Sequence, residues 1–302
     1  MSQDPRGPQL YRRSKRAPQR PVAPQGASAA TAPDTASAIR RITSPANDLI
    51  KDMRGLQSKK ERSETGLFLA EGLKLVTDAF AAGWRVVTLA YGEAVARQPK
   101  VIAAIETALS RGTDVVEVSE AVLEKITRRD NPQMVIAVIA QRYATLAPDA
   151  LAGTWVALEG IKDPGNLGTI IRTVDSVGAS GVMLIDETTD PFAMEAVRAT
   201  MGSLFHVPLV RLTRAAFAAL AAESGAPVYG THLQGAVDYR SVDYPEPAIL
   251  LMGNEQSGLP QAFVELCDQV IKIPMAGQAD SLNLAIATAV TLYEMRRSRL
   301  AL

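Results

Sequence analysis

Past Thr154 the chain settles into a regular rhythm of short apolar runs and stretches of helical spacing. WVALEG is followed by a helix from about Asn166, then GVMLID, a helix over Ala215–Ala222, PVYGTHL, AILLMGN, a short helix after Pro260, VIKIPM and a long helix from Ser281. Unbroken apolar runs of this length are strands buried on both faces. Alternated with helices, they predict a parallel sheet whose strand-to-helix loops collect at one edge.

The preceding hundred residues read as a smaller α/β unit. Ser44 can cap a helix with Pro45 at its first position, and Leu49, Ile50, Met53 and Leu56 follow at helical spacing. GLQSKKERSETG then reads as a polar loop carrying Lys59, Lys60 and Arg62. A second helix is expected over Phe68–Ala82, where Leu69, Leu73, Val76 and Phe80 share a face. Strands are expected at Trp84–Tyr91, Thr113–Val118 and Met134–Ala140, with a helix at Pro99–Ser110. RYATLAPDALAG has no period and contains Pro148 and Gly153, so the boundary falls there, between a domain over 42–143 and another over 153–302. Residues 1–41 hold Pro5, Pro8, Pro18, Pro21, Pro24 and Pro33 and almost no aliphatic side chains, the composition of a disordered tail.

Composition changes this picture in two places. A chain of 302 residues, 47% hydrophobic, is long enough for two ordinary cores. Basic and acidic residues balance at 32 each, yet residues 1–41 carry eight basic against two acidic, a net of +6. Such a tail is either a solvated extension, a polycation attracted to phosphates, or an organelle transit peptide. One cysteine and two histidines exclude an internal disulfide and a Cys- or His-rich metal cluster, so no metal is expected. Cys267, Trp84 and Trp155 read as core, and His232 as a packed or hydrogen-bonded histidine rather than a chemical one. With no run of eighteen apolar residues and no signal h-region, neither a membrane partner nor secretion is expected, and a cytoplasmic location fits.

Three motifs carry candidate chemistry. In NLGTIIR, Asn166 can cap a helix, Gly168 allows close packing, and Arg172 sits inside the helix on a rigid backbone. LLMGNEQSGLP, ending at Pro260, places Glu255 between Gly253 and Gly258 in a loop after a strand, where a carboxylate suits an active site better than a core. IPMAGQADSLN runs from the end of a strand at Ile273–Met275 to Ser281, Leu282 and Asn283 at a helix N-terminus, where polar groups cap the helix and present donors.

In their order and spacing these motifs resemble the three signature motifs of the SpoU (TrmH) RNA methyltransferases, over about residues 154–298. Residues 44–76 are similar to the small ribosomal-protein-like RNA substrate-binding domain that precedes the catalytic domain in that family, with Lys59, Lys60 and Arg62 as candidate RNA contacts. Gln256 departs from the pattern, standing where the family frequently has glycine. The resemblance implies an α/β fold whose C-terminal parallel-sheet domain is tied in a deep trefoil knot, a homodimer, and S-adenosyl-L-methionine as methyl donor. A knot is not something general topology would predict. It further implies that Arg172 acts on a ribose 2′-hydroxyl with Asn166, Glu255, Ser281 and Asn283 around it. Backbone near Thr231, Leu233, Gly253, Ile273, Met275 and Leu282 would hold the donor. Since a guanidinium is a poor base, positioning or electrostatic stabilisation is the conservative role for Arg172. The front domain points to large-subunit ribosomal RNA as substrate. The alternatives are a tRNA ribose methyltransferase and a non-catalytic RNA-binding protein of the same fold. All of this requires the loops bearing Arg172, Glu255 and Ser281 to converge.

Overall fold

In the computed structural model, residues 39–232 and 236–300 are described. Most of the predicted basic tail, residues 1–38, and the donor-site candidate Leu233 lie outside that part. Order begins before Ser44. Arg40 and Arg41, counted above with the tail, start strand β1 (Arg40–Ile42), where Arg40 pairs with Asp114 and Arg41 with Glu93 and Glu117.

The first half continues through α1 (Asp48–Gly55), α2 (Lys59–Thr65), β2 (Leu67–Glu71), α3 (Leu73–Ala81), β3 (Val86–Gly92), α4 (Pro99–Ser110), β4 (Asp114–Val118), α5 (Glu120–Thr127) and β5 (Val135–Ala140). Its sheet has the order β1-β4-β3-β5-β2, parallel across β1, β4 and β3 and antiparallel at β5 and β2. Three expectations fail here for identifiable reasons. The first helix is capped by Asn47, whose side chain accepts from the Leu49 amide, and not by Ser44, so Pro45 lies outside it; Asn and Ser are equally good caps, and spacing alone does not choose between them. The single helix over Phe68–Ala82 is a strand and then a helix, broken at Gly72 with φ +113°. Both faces of β2 are buried, so its side chains show none of the alternation that separates a strand from a helix. The polar stretch at Lys59–Thr65 is helix α2, which buries only Arg62 and so carries no apolar stripe to reveal it.

The second half runs through β6 (Thr154–Glu159), α6 (Pro164–Ser176), β7 (Gly181–Ile185), α7 (Met194–Ala199), β8 (Leu209–Leu212), α8 (Arg214–Ser224), β9 (Val228–Thr231), β10 (Val237–Asp238), β11 (Ala248–Met252), α9 (Gln261–Val264), β12 (Gln269–Lys272) and α10 (Leu284–Met295). Its seven strands lie in the order β10-β12-β9-β11-β6-β7-β8, and every neighbouring pair is parallel. The parallel sheet expected from the apolar runs is present. The short elements α5, α7 and β8 carry too little period to be read from sequence.

One hydrophobic cluster joins the halves. Phe68 of β2 and Trp84, just before β3, pack against Phe192, and Trp84 packs edge-on against Phe205, with Tyr143 edge-on to Phe192. Trp84 Nε1 donates to the Phe205 carbonyl at 3.0 Å. Arg62 is not an exposed RNA contact. Its side chain is 5% exposed, and the guanidinium pairs with Asp190 at 2.7 Å and donates to the carbonyls of Leu56 and Gln57. Burial of a charge this complete requires a partner, and Arg62 directs its donors inside the protein.

Candidate active site

From β6 the chain steps outward to β7 and β8, then crosses to strands on the other side of β6. Open parallel sheets bind ligands at such a reversal, outside the C-terminal ends of the strands. Here that crevice lies between the loops leaving β6 at Gly160 and β11 at Gly253.

The loop after β11 is closed on itself. Asn254 and Gly258 exchange backbone hydrogen bonds of 3.1 and 2.9 Å, and Gly258 takes the left-handed φ of +67°. Asn254 is no candidate from sequence, yet it pins the loop: its Oδ1 accepts from the amides of Gln256 and Ser257, and its Nδ2 donates to the Gly160 carbonyl at 2.7 Å. Gln256 has no left-handed φ, so the absence of glycine there costs no strain. A Cβ on Gly253 would lie 2.3 Å from the Gly258 carbonyl carbon. Gly253 is thus required by the loop's own backbone, a reason independent of any ligand.

The cap of helix α6 lies three residues before the predicted one. Asp163 is the N-cap, accepting from the Asn166 amide at 2.5 Å, and Pro164 takes the first position. An Asp-Pro pair at that point is itself a helix-start signature, and it outranks Asn166 as a cap. The difference matters because it frees the Asn166 side chain. Asn166 Nδ2 donates to Glu255 Oε1 at 3.3 Å, and Asn166 Oδ1 accepts from Asn283 Nδ2 at 3.0 Å. Asn283, rather than Ser281, caps α10, its Oδ1 accepting from the amides of Ala285 and Ile286. One relay therefore links residues from all three motifs.

Glu255 receives more than Asn166. The amides of Lys162 and Asp163 each donate to its carboxylate at 3.2 Å. Partial burial pushes the acid upward, but the hydrogen bonds from its own amide, Lys162, Asn166 and Asp163 outweigh it and hold it below the usual carboxylate value. A lowered native value means the stabilisation is complete above about pH 4.3, the unfolded value, and is lost as pH falls through the native one. Comparing unfolding midpoints of the wild type and Glu255→Gln from pH 7 to pH 3 should show a difference that shrinks on acidification. A difference independent of pH would show that the ionised carboxylate contributes nothing.

Arg172 lies six residues along α6 from Asn166, about 9 Å up the axis by helical rise. It is exposed, and among the described residues its guanidinium has no hydrogen-bond or ion-pair partner. Gly168 brings α6 against α7, since a Cβ there would stand 2.4 Å from the Ala196 carbonyl oxygen. Ser281 is exposed and donates to Asp280 at 3.1 Å, two residues from Asn283 but outside the relay.

The donor-site candidates gather at one sheet edge. Thr231 ends β9, Gly253 follows β11 and Ile273 follows β12, three adjacent parallel strands. Met275 and Leu282 lie in the irregular segment between β12 and α10 and expose 38% and 37% of their surface. A cleft of about 310 Å³ beside the loop of Glu255 is lined by Glu159, Lys162, Asp186, Asn254 and Ser257. Burial, then Asp186, raises the Glu159 acid against the pull of Lys162 and Arg214. Lys59 and Lys60 are exposed on α2, Lys60 lying 3.8 Å from Glu64. Cys267 is half-buried rather than core, its Sγ filling the space beside Gly230, and burial pushes its thiol up to about 11. Among the described residues no group of His, Cys, Asp and Glu is arranged to hold a metal, and no helix is long and apolar enough to cross a membrane.

Comparison with known proteins places this geometry. Residues 153–293 match the SpoU rRNA Methylase family, and residues 47–137 match the MRM3-like substrate binding domain. The chain is 34% identical over 258 residues to the 23S rRNA (guanosine(2553)-2'-O)-methyltransferase RlmP of Bacillus subtilis, covering 85% of this chain and all of that protein. It is 31% identical to the 23S rRNA (uridine(2479)-2'-O)-methyltransferase of Streptomyces viridochromogenes, covering 87% of this chain and 94% of the other. The crystal structure of an AdoMet-bound rRNA methyltransferase from Sinorhizobium meliloti superposes with a TM-score of 0.82 at 49% identity, covering 87% of this chain and all of that one.

Proposed function

The chain belongs to the SpoU rRNA methylase family, and from that premise we propose that it methylates a ribose 2′-hydroxyl of large-subunit ribosomal RNA, with Arg172, Asn166, Glu255, Ser281 and Asn283 at the reaction centre. It is an RNA 2′-O-methyltransferase that uses S-adenosylmethionine. The observation that carries the site assignment is the Asn283–Asn166–Glu255 relay, because residues 117 and 89 positions apart meet only if the three motifs share one site.

The donor brings an electrophilic methyl carbon on a positively charged sulfur. What the chain must add is alignment of the hydroxyl and a favourable setting for the charge that develops as its proton leaves. Arg172 fits the second of these roles, being a permanent cation on a rigid helix, free of internal partners among the described residues. Asn166 and Glu255 fix the first turn of that helix against the β11 loop, and Asn283 ties it to α10. The donor suits the edge formed by β9, β11 and β12, where the half-exposed Met275 and Leu282 offer apolar walls. Titrating the protein with S-adenosylhomocysteine in a calorimeter tests this part. Saturable binding is expected, and its absence would remove the donor site.

A homodimer belongs to the same proposal. Ile286 and Tyr293, each 51% exposed, stand seven residues apart on one face of α10. Covering this stripe with a second copy would bring partner residues next to Asn283. Ile286→Glu should convert the dimer to monomer in sedimentation, whereas an unchanged mass would assign the stripe elsewhere. The knotted path between β11 and α10 and a cytoplasmic location complete the proposal, the latter supported by a single cysteine that forms no disulfide. The two 23S rRNA relatives act on different nucleotides, a guanosine and a uridine.

A further inference from the structure

At the seam between the two sheets, Glu71 at the end of β2 has a carboxylate with no exposed surface. Two guanidiniums meet it, one from each half of the chain: Arg198 of α7 with Nε at 3.1 Å, and Arg129 of the loop after α5 at 3.8 Å. The Gln133 amide adds a hydrogen bond of 3.0 Å. Arg198 Nε is buried and faces Glu71 without hydrogen-bond alignment, and among the described residues its outer nitrogens have no partner. Arg198 and Arg129 remain 36% and 48% exposed. Two guanidiniums sharing one carboxylate keep a net positive charge. Both side chains keep exposed surface, and a partly exposed pair of guanidiniums with spare donors suits a phosphate. Arg128 stands beside them, exposed and held at φ +56°, a conformation that costs energy in a non-glycine residue.

The position of this cluster gives it a use. Glu195, one turn before Arg198 on the same side of α7, reaches the first turn of α6 at Gly165, and Ala199 packs on α6 at Gly168. Gln57 ties the turn before Lys59 to the end of α5 and to Met194 at the start of α7. Arg198 thus sits on the helix that packs against the one bearing Asn166, and Gln57 links the start of that same helix to the turn before Lys59 and Lys60.

We propose that Arg129 and Arg198, oriented by the buried Glu71, form a binding site for a backbone phosphate of the substrate RNA where the two halves of the chain meet. The inference rests on the RNA-methylating function proposed above and adds the residues through which the first half hands the strand to α6. Phosphate contacts fix register and carry a salt dependence that a structural ion pair does not. Binding of an unmodified large-subunit ribosomal RNA transcript, measured with S-adenosylhomocysteine present across a salt series, provides the test. Arg129→Ala and Arg198→Ala should each weaken binding about tenfold and lower the slope of log Kd against log salt by about one. Arg198→Lys should keep the slope while losing affinity, and Arg97→Ala, exposed before α4, should change neither. Variants with a lowered unfolding midpoint and an unchanged salt slope would reduce the cluster to a lock between the halves and overturn the proposal. Should Arg172→Ala retain turnover while the slopes fall as expected, the phosphate site would stand and the catalytic assignment would fail instead.

Discussion

Arg172→Ala is expected to lower the rate of methyl transfer by about 10²–10³-fold or more, the usual cost of removing a group that stabilises developing charge. Affinity for S-adenosylhomocysteine should change less than about twofold, because Arg172 lies on α6 and the donor-site candidates lie at the ends of β9, β11 and β12. Arg172→Lys separates two roles. A lysine retains the charge but not the planar fork, so partial recovery would point to electrostatic stabilisation and no recovery to geometric alignment of the hydroxyl. Single-turnover assays with saturating RNA and donor read the chemical step directly. A variant that keeps most of its turnover would remove Arg172 from the reaction centre while leaving the relay of Asn166, Glu255 and Asn283 in place.

The second large effect concerns stability. Asp190→Ala would leave the Arg62 guanidinium buried without its counter-charge, at a cost of about 3–5 kcal/mol. The two carbonyls that also accept from Arg62 would not compensate for a lost carboxylate at 2.7 Å. Replacing both partners, as Arg62→Met with Asp190→Leu, should recover most of the loss, since it removes the stranded charge along with the pair. Denaturant unfolding measures this. A loss below about 1 kcal/mol for Asp190→Ala would mean that water reaches the pair and that the junction is looser than its burial implies.

Legibility in the sequence differs by kind of feature. Strands β6, β7 and β11 announce themselves because parallel strands are buried on both faces and so are written as unbroken apolar runs. That same property conceals β2: α7 covers it from the other half of the chain, and a sequence does not show which distant helix will bury a face. Helix α2 escapes for the opposite reason, being polar on nearly every side.

The candidate site is legible as three groups of residues but not as a connected one. Spacing and resemblance identify Asn166, Glu255 and Asn283, while the bonds between them depend on Asp163, not Asn166, capping α6. Asn254 draws no notice because its work is done through loop backbone, which leaves no pattern in composition. Arg62 misleads because a lysine- and arginine-rich stretch reads uniformly as surface, and only its partner at Asp190, 128 residues away, distinguishes it from Lys59 and Lys60.

Methyl transfer from a labelled donor, offered to unmodified large-subunit ribosomal RNA and to total tRNA with the modified position mapped, bears on the whole account. A 2′-O-methyl group at one ribose of the large-subunit RNA, absent with Arg172→Ala, is the predicted outcome. Label on tRNA alone, on a base rather than a ribose, or on neither RNA would contradict it.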